Sequence, residues 1–217
     1  FKIIIPVYNA ESYIQNALIS VMNQEYDNFE CIITDDYSSD NTVDVVDDFI
    51  YENKLEDYFH LHRNQKRMFA LYNLHSMISS SNADVEDVYI ALDGDDWLAD
   101  NDVLSRLNDI YSGGGCWLTY GSYAVYPGGG DSSFHVSEYP QDIIESGDFR
   151  KDLKWRASHL RTFKHKLASR VEVDDLLDVD GNYYRYAYDQ ALMFPMMEMA
   201  RERVRFVSDI LCVYNLD

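Results

Sequence analysis

Four short apolar runs, KIIIPVY (2–8), FECIITD (29–35), YFHLH (58–62) and DVYIAL (87–92), alternate with three stretches of helical spacing at 11–24, 40–53 and 67–80. This alternation constrains the chain more than any other feature. Short runs separated by helical patterns of about 12 residues pack as βα units around a mostly parallel sheet. The expected fold class is α/β. Helix starts are expected at Glu11 and Ser12 and again at Asp40, Asn41 and Thr42, residue types that favour caps and first turns.

After Tyr111 the rhythm changes. SGGGC and PGGGD bracket the apolar stretch CWLTYGSYAVY (116–126), so the second half reads as more irregular and more antiparallel. Neither glycine cluster has the spacing or the strand-to-helix position of a dinucleotide or phosphate loop, and both read as turns. A last helix is expected over 187–202 with a kink at Pro195, followed by a closing strand over 205–215. With no repeat and no low-complexity linker, one domain over 1–217 is expected, built from a half at 1–100 and a smaller mixed half at 101–217.

The balance of charge narrows the function. Thirty-eight acidic against 18 basic side chains give a net charge of −20, which repels phosphate backbones and argues against nucleic-acid binding. A phosphorylated small molecule remains compatible where a cation or an Arg reverses the local sign. Cys31, Cys116 and Cys212 are few, far apart and mostly inside apolar runs, so they read as reduced core residues. No apolar run approaches the roughly 20 residues of a membrane span, and the first residues form a strand pattern rather than a cleavable leader. A soluble cytoplasmic location is expected. The start without Met and the stop at YNLD directly after an apolar run lead us to expect one domain of a longer protein.

In a parallel α/β sheet, ligands bind beyond the carboxyl ends of the strands. Pro6, Tyr8 and Asn9 follow the first strand, Asp35 and Asp36 the second, and Asp93, Asp95 and Asp96 the fourth. With Gly94 between them, Asp93 and Asp95 can turn both carboxylates into one space, the missing side chain leaving room for a ligand. Hard oxygens gathered in this way suit Mg²⁺ or Mn²⁺, which complete their shells with water and substrate phosphates. The competing reading makes the same residues turn and cap formers ahead of a helix at 101–111, with Asp100 or Asn101 as the cap.

These segments resemble the family-2 nucleotide-sugar glycosyltransferases of GT-A fold. The resemblance rests on residues 3–42, IIIPVYNAES through DDYSSDNT, on RMFALYN (67–73) and on LDGDD (92–96), in family order and spacing. It implies a Rossmann-like nucleotide-binding half and a smaller acceptor-side half. Pro6, Tyr8 and Asp36 would meet a uracil base, with Asn9 in the same segment, and Arg67 would reach the nucleotide. Asp93, Gly94 and Asp95 would meet ribose and metal, with Asp96 beside them. In chemical terms Tyr8 can stack on a base, Asp36 can accept an imide N–H and Arg67 can neutralise phosphate. Tyr37 stands where the family often has Gly.

Inverting transfer in this family uses a carboxylate base at the start of a late helix, which nominates Asp189. Here the preceding residue is Tyr188 rather than Glu. The basic island FRKDLKWRASHLRTFKHKL (149–167) offers Arg156, His159, Arg161 and Lys164 to diphosphate or acceptor and Trp155 as a sugar platform. Its plain reading is an amphipathic helix with Leu160 and Phe163 turned inward. The expectation is an inverting, Mn²⁺- or Mg²⁺-dependent glycosyltransferase that takes a UDP-linked sugar to a glycan or other hydroxyl acceptor. A nucleotide-sugar-binding module without turnover and a sugar nucleotidyltransferase are the alternatives. The latter lacks its Gly-rich loop here, and a phosphoryl-receiver domain would leave the second half unused. The overall pattern is also similar to the amino-terminal transferase domain of multi-domain glycosyltransferases of large algal viruses, for which the host cytoplasm would be the location.

Overall fold

The computed structural model describes residues 1–128 and 136–217. Three of the expected strands form nearly as read: β1 at Lys2–Val7, β2 at Glu30–Asp35 and β3 at Phe59–Arg63, joined by α1 at Ile14–Met22 and α2 at Thr42–Asn53. Then α3 at Ala70–Ser80 leads into β4 at Val88–Ala91, a short β5 at Trp97–Leu98 and α4 at Val103–Ser112. The second half supplies β6 at Leu118–Tyr126, α5 at Gln141–Ser146, β7 at Arg161–Lys164 and α6 at His165–Ala168. It ends with α7 at Tyr188–Ala200 and β8 at Val204–Asn215. Gly129, Gly130 and Asp131 of the turn expected at PGGGD lie outside the described residues.

All eight strands join one sheet in the order β3-β2-β1-β4-β7-β6-β8-β5. β1 is parallel to both β2 and β4, and β2 to β3, whereas β7 runs antiparallel to β4 and β6. The second half is mixed, because β6 and β8 pair in parallel, with shifts of register around Ser122. The chain steps outward from β1 to β3 and then crosses to β4 on the other side of β1. That reversal opens a crevice at the carboxyl ends of β1 and β4, where ligands settle in open α/β sheets.

The run KIIIPV is continuously apolar because both faces of β1 are covered. Ile3, Ile5 and Val7 pack into a core with α1, α2 and α4, while Ile4 points to a second core with α3 and α7. Each buried Ile contributes about 1.5–3 kcal/mol relative to exposure. On α1, Ile14, Ala17, Leu18 and Val21 form one fully buried stripe. All three cysteines are buried and free.

Several helix ends differ from expectation. α1 begins at Ile14 because Glu11 is spent between loops: its carboxylate accepts the Asn41 N–H at 2.9 Å and its N–H donates to Asp40 at 3.2 Å. Asp40 in turn accepts the N–H and hydroxyl of Thr42, so it closes the entry to α2. Asp100 and Asn101 do not occupy the cap position of α4, which falls on Asp102. Asp100 instead holds Arg106 through two carboxylate contacts. α7 continues through Pro195.

The basic island is not a helix. It comprises a 3₁₀ turn at Phe149–Lys151, an irregular segment, β7 and the short α6. Leu160 and Phe163 are both buried, but in cores on opposite faces of the sheet, which a single amphipathic stripe cannot serve.

Candidate functional site

The crevice beyond β1 and β4 forms a cleft of about 400 Å³ lined by Tyr8, Asn9, Asp93, Gly94, Asp95, Tyr188 and Tyr214, among others. A second cleft of about 210 Å³ adjoins it through the shared Pro6, Val7, Tyr8, Ala70 and Tyr188, and adds Asp36, Arg67, Phe69 and Arg185. The structure thus places Pro6, Tyr8, Asn9, Asp36, Arg67, Asp93, Gly94 and Asp95 around one continuous trough.

Gly94 has a different reason from the one expected. A Cβ there would lie 2.5 Å from Val7 Cγ1 and 3.1 Å from the Pro6 carbonyl oxygen, so β1 occupies the space that the sequence reading reserved for a ligand. The missing side chain lets the D-G-D turn lie directly against the strand that carries Tyr8.

The three acids of this turn are not equivalent. Asp93 accepts hydrogen bonds from Arg161 Nη2 at 2.8 Å and from the Tyr188 hydroxyl, and its Oδ2 lies 3.2 Å from His159 Nε2. Burial alone would raise its pKa, but Arg161, with His159 and Tyr188, holds it well below the usual carboxylate range. Asp95 is exposed to the cleft, and partial desolvation and the charge on Asp93 push its pKa up. Asp96 is fully buried. Its Oδ1 accepts the Asn215 N–H at 3.0 Å, its Oδ2 has no hydrogen-bond partner, and burial with the neighbouring Asp93 pushes its pKa up to about 8.

Ligand atoms of Asp93, Asp96 and His159 lie within 4.8 Å of one another. Burial, then the Arg161 charge, lowers the His159 pKa and favours the neutral imidazole that a metal requires. Two carboxylates, one of them carrying an orphaned buried oxygen, and one imidazole make a donor set that fits a divalent cation, and Asp95 lines the same cleft as Asp93. The nitrogen ligand suits Mn²⁺ better than Mg²⁺.

The acceptor-side residues sort differently. Arg161, 3% exposed on β7, stands between the two acids, with Nη2 on Asp93 and Nη1 3.8 Å from Asp189 Oδ2. Asp189 lies in the first turn of α7 and does not cap it, since the cap position is Ala187. Its carboxylate accepts the Trp155 indole N–H at 2.9 Å. Trp155 also packs edge-on against Phe194, so the indole orients Asp189 and lines neither cleft. Arg156 is engaged by Asp152 at 2.7 Å and by Ser137, and lines neither cleft. Lys164 pairs with Glu86 near the opposite ends of the strands.

At the other end, the Arg67 guanidinium lies 3.5 Å above the Tyr8 ring. Asp36 accepts the N–H groups of Met68 and Phe69 at 2.7 and 2.8 Å and the Asn64 amide at 2.9 Å. Its carboxylate therefore shapes the loop that presents Arg67; Oδ1 accepts two of these bonds and Oδ2 one, so Oδ2 keeps one lone pair for a ligand. Sequence reasoning missed Tyr13, Arg185 and Tyr214, which no motif marks, and noted Tyr188 only as a departure.

A family model described as Glycosyl transferase family 2 matches residues 2–177. An uncharacterized glycosyltransferase of Haemophilus influenzae is 31% identical over 127 residues, 57% of this chain and 46% of that protein. The chain thus spans less than half the length of the curated relatives it matches. Among solved structures, S. aureus TarS in complex with UDP-GlcNAc aligns with a TM-score of 0.74 at 18% identity, over 100% of this chain and 58% of that one. Mannosyltransferase PcManGT of Pyrobaculum calidifontis, in complex with GDP-Man and Mn²⁺, aligns with a TM-score of 0.65 at 16% identity, over 98% and 56%.

Proposed function

The chain belongs to glycosyl transferase family 2 and has the GT-A fold, and from that premise we propose that it transfers a sugar from a UDP-linked donor to a hydroxyl acceptor with inversion. The observation that carries this reading is the placement of Arg161 between Asp93 and Asp189, which sets a donor-side acid and an acceptor-side acid on the two sides of one buried guanidinium. The UDP and UDP-GlcNAc complexes of TarS support the uridine donor, as does the pairing of Tyr8 with Asp36.

In this mechanism the base lies against Tyr8 and Asp36, Arg67 swings from the Tyr8 ring toward phosphate, and the D-G-D turn orients ribose. Asp93, Asp95, Asp96 and His159 would hold a divalent cation, which supplies charge neutralisation for the diphosphate leaving group. Asp189, aimed by Trp155, takes the proton from the acceptor hydroxyl as its oxygen bonds to the anomeric carbon and the bond to the diphosphate breaks. Arg161 keeps Asp93 and Asp189 from repelling each other. The acceptor is a glycan or another polyhydroxylated molecule.

Asp189→Asn separates binding from chemistry. Removing a general base lowers transfer by about 10²–10⁴-fold, and UDP affinity measured by calorimetry should stay within about twofold because Asp189 lies outside the donor clefts. Full transfer activity in this variant would overturn the assignment of the base.

A further inference from the structure

The last strand carries an aromatic residue into the trough that no motif announces. The Asn215 N–H donates to Asp96 Oδ1 at 3.0 Å, which ties the end of β8 to the D-G-D-D turn. Tyr214, one residue earlier, therefore lines the same cleft as Asp93 and Asp95. Its ring is held by His159 at 5.1 Å and by Tyr123 at 5.4 Å, and those two rings meet each other at 5.5 Å and 88°. His159 is itself held by Asp93.

The geometry points to Tyr214 as the platform for the donor's sugar and a determinant of which sugar is transferred. The inference rests on the donor-site reading above and extends it to the transferred group. A half-buried ring already fixed by two aromatic neighbours loses little conformational freedom when it meets a ligand. Among the described residues its hydroxyl has no hydrogen-bond partner, so the side chain offers both an aromatic surface and a polar tip. A pyranose has the matching features, an apolar C–H face and a rim of hydroxyls, and the acids alongside can accept from that rim. The nucleobase is a poorer match, because Asp36, Arg67, Phe69 and Arg185 line the adjoining cleft and Tyr214 does not.

The test is calorimetric titration, with Mn²⁺ present, of UDP and of UDP-GlcNAc, UDP-Glc and UDP-Gal into the wild-type chain, Tyr214→Ala and Tyr214→Phe. Tyr214→Ala should weaken the tightest UDP-sugar about tenfold while UDP changes less than twofold. Tyr214→Phe, which keeps the ring and serves as the folding control, should retain most of the UDP-sugar affinity and alter the ranking among the three sugars. Equal losses for UDP and UDP-sugar, or no loss for either, would overturn the inference and leave the donor site standing. Failure of the wild-type chain to bind UDP or any UDP-sugar would overturn both.

Discussion

Gly94→Ala tests how the D-G-D turn is held. The added Cβ would sit 2.5 Å from Val7 Cγ1 and 3.1 Å from the Pro6 carbonyl oxygen, against ordinary contacts of 3.4–4 Å. Val7 is 4% exposed and β-branched, so its side chain has little freedom to move aside, and the Pro6 oxygen belongs to the backbone of β1. The turn must retreat by about 1 Å, an overpacking that costs about 1–3 kcal/mol. For a domain of this length each kcal/mol lowers the melting temperature by about 2–4 °C, which gives a loss of roughly 2–12 °C. The functional effect is larger, since a misplacement of about 1 Å at a reacting centre costs on the order of 10²-fold in rate. Thermal unfolding and an initial-rate transfer assay on one preparation measure both. Unchanged melting with a wild-type rate would refute the argument that β1 clamps this turn.

Tyr188→Phe removes the hydroxyl that donates to Asp93 and lies 3.4 Å from Arg161 Nη2. A hydrogen bond to a charged group is worth about 1.5–3 kcal/mol, so denaturant unfolding should show a loss of that order, with a weaker donor complex by calorimetry. The metal-free protein should lose stability as pH rises from about 4 to 8. Over that window Asp96 keeps its proton when folded, up to about 8, while the unfolded chain has released it, so unfolding releases a proton. One proton corresponds to a slope of up to about 1.4 kcal/mol per pH unit, flattening above the folded pKa. Asp96→Asn should flatten it in denaturant titrations across pH, and saturating Mn²⁺ should reduce it.

The strands and the first acids were legible because they obey local rules. KIIIPV is apolar on both faces since both faces are packed, and Asp93 to Asp96 follow a strand end where the chain must turn. Residues whose roles depend on distant pairing were harder to read. Arg161 lies in a basic run that imitates a helical stripe, and only the antiparallel docking of β7 on β4 brings it to Asp93. Trp155 has the composition of a sugar platform, yet its indole N–H is committed to Asp189. Tyr214 reaches the cleft because β8 returns beside β6, a long-range pairing that carries no local signature. The cap readings at Glu11 and Asp100 failed because side chains that can cap also bridge loops, and tertiary partners decided between the two uses.

In the proposed function the D-G-D turn and the Tyr8 end of β1 form one metal-assisted nucleotide site. Calorimetric titration of UDP into the protein, with Mn²⁺, with EDTA and with Asp95→Ala, tests it most directly. Binding with Mn²⁺ is expected, with at least tenfold weaker binding in EDTA and no Mn²⁺ enhancement in Asp95→Ala, which leaves the contacts of half-buried Asp93 and buried Asp96 in place. UDP binding of equal strength in all three conditions, or none in any, would contradict it.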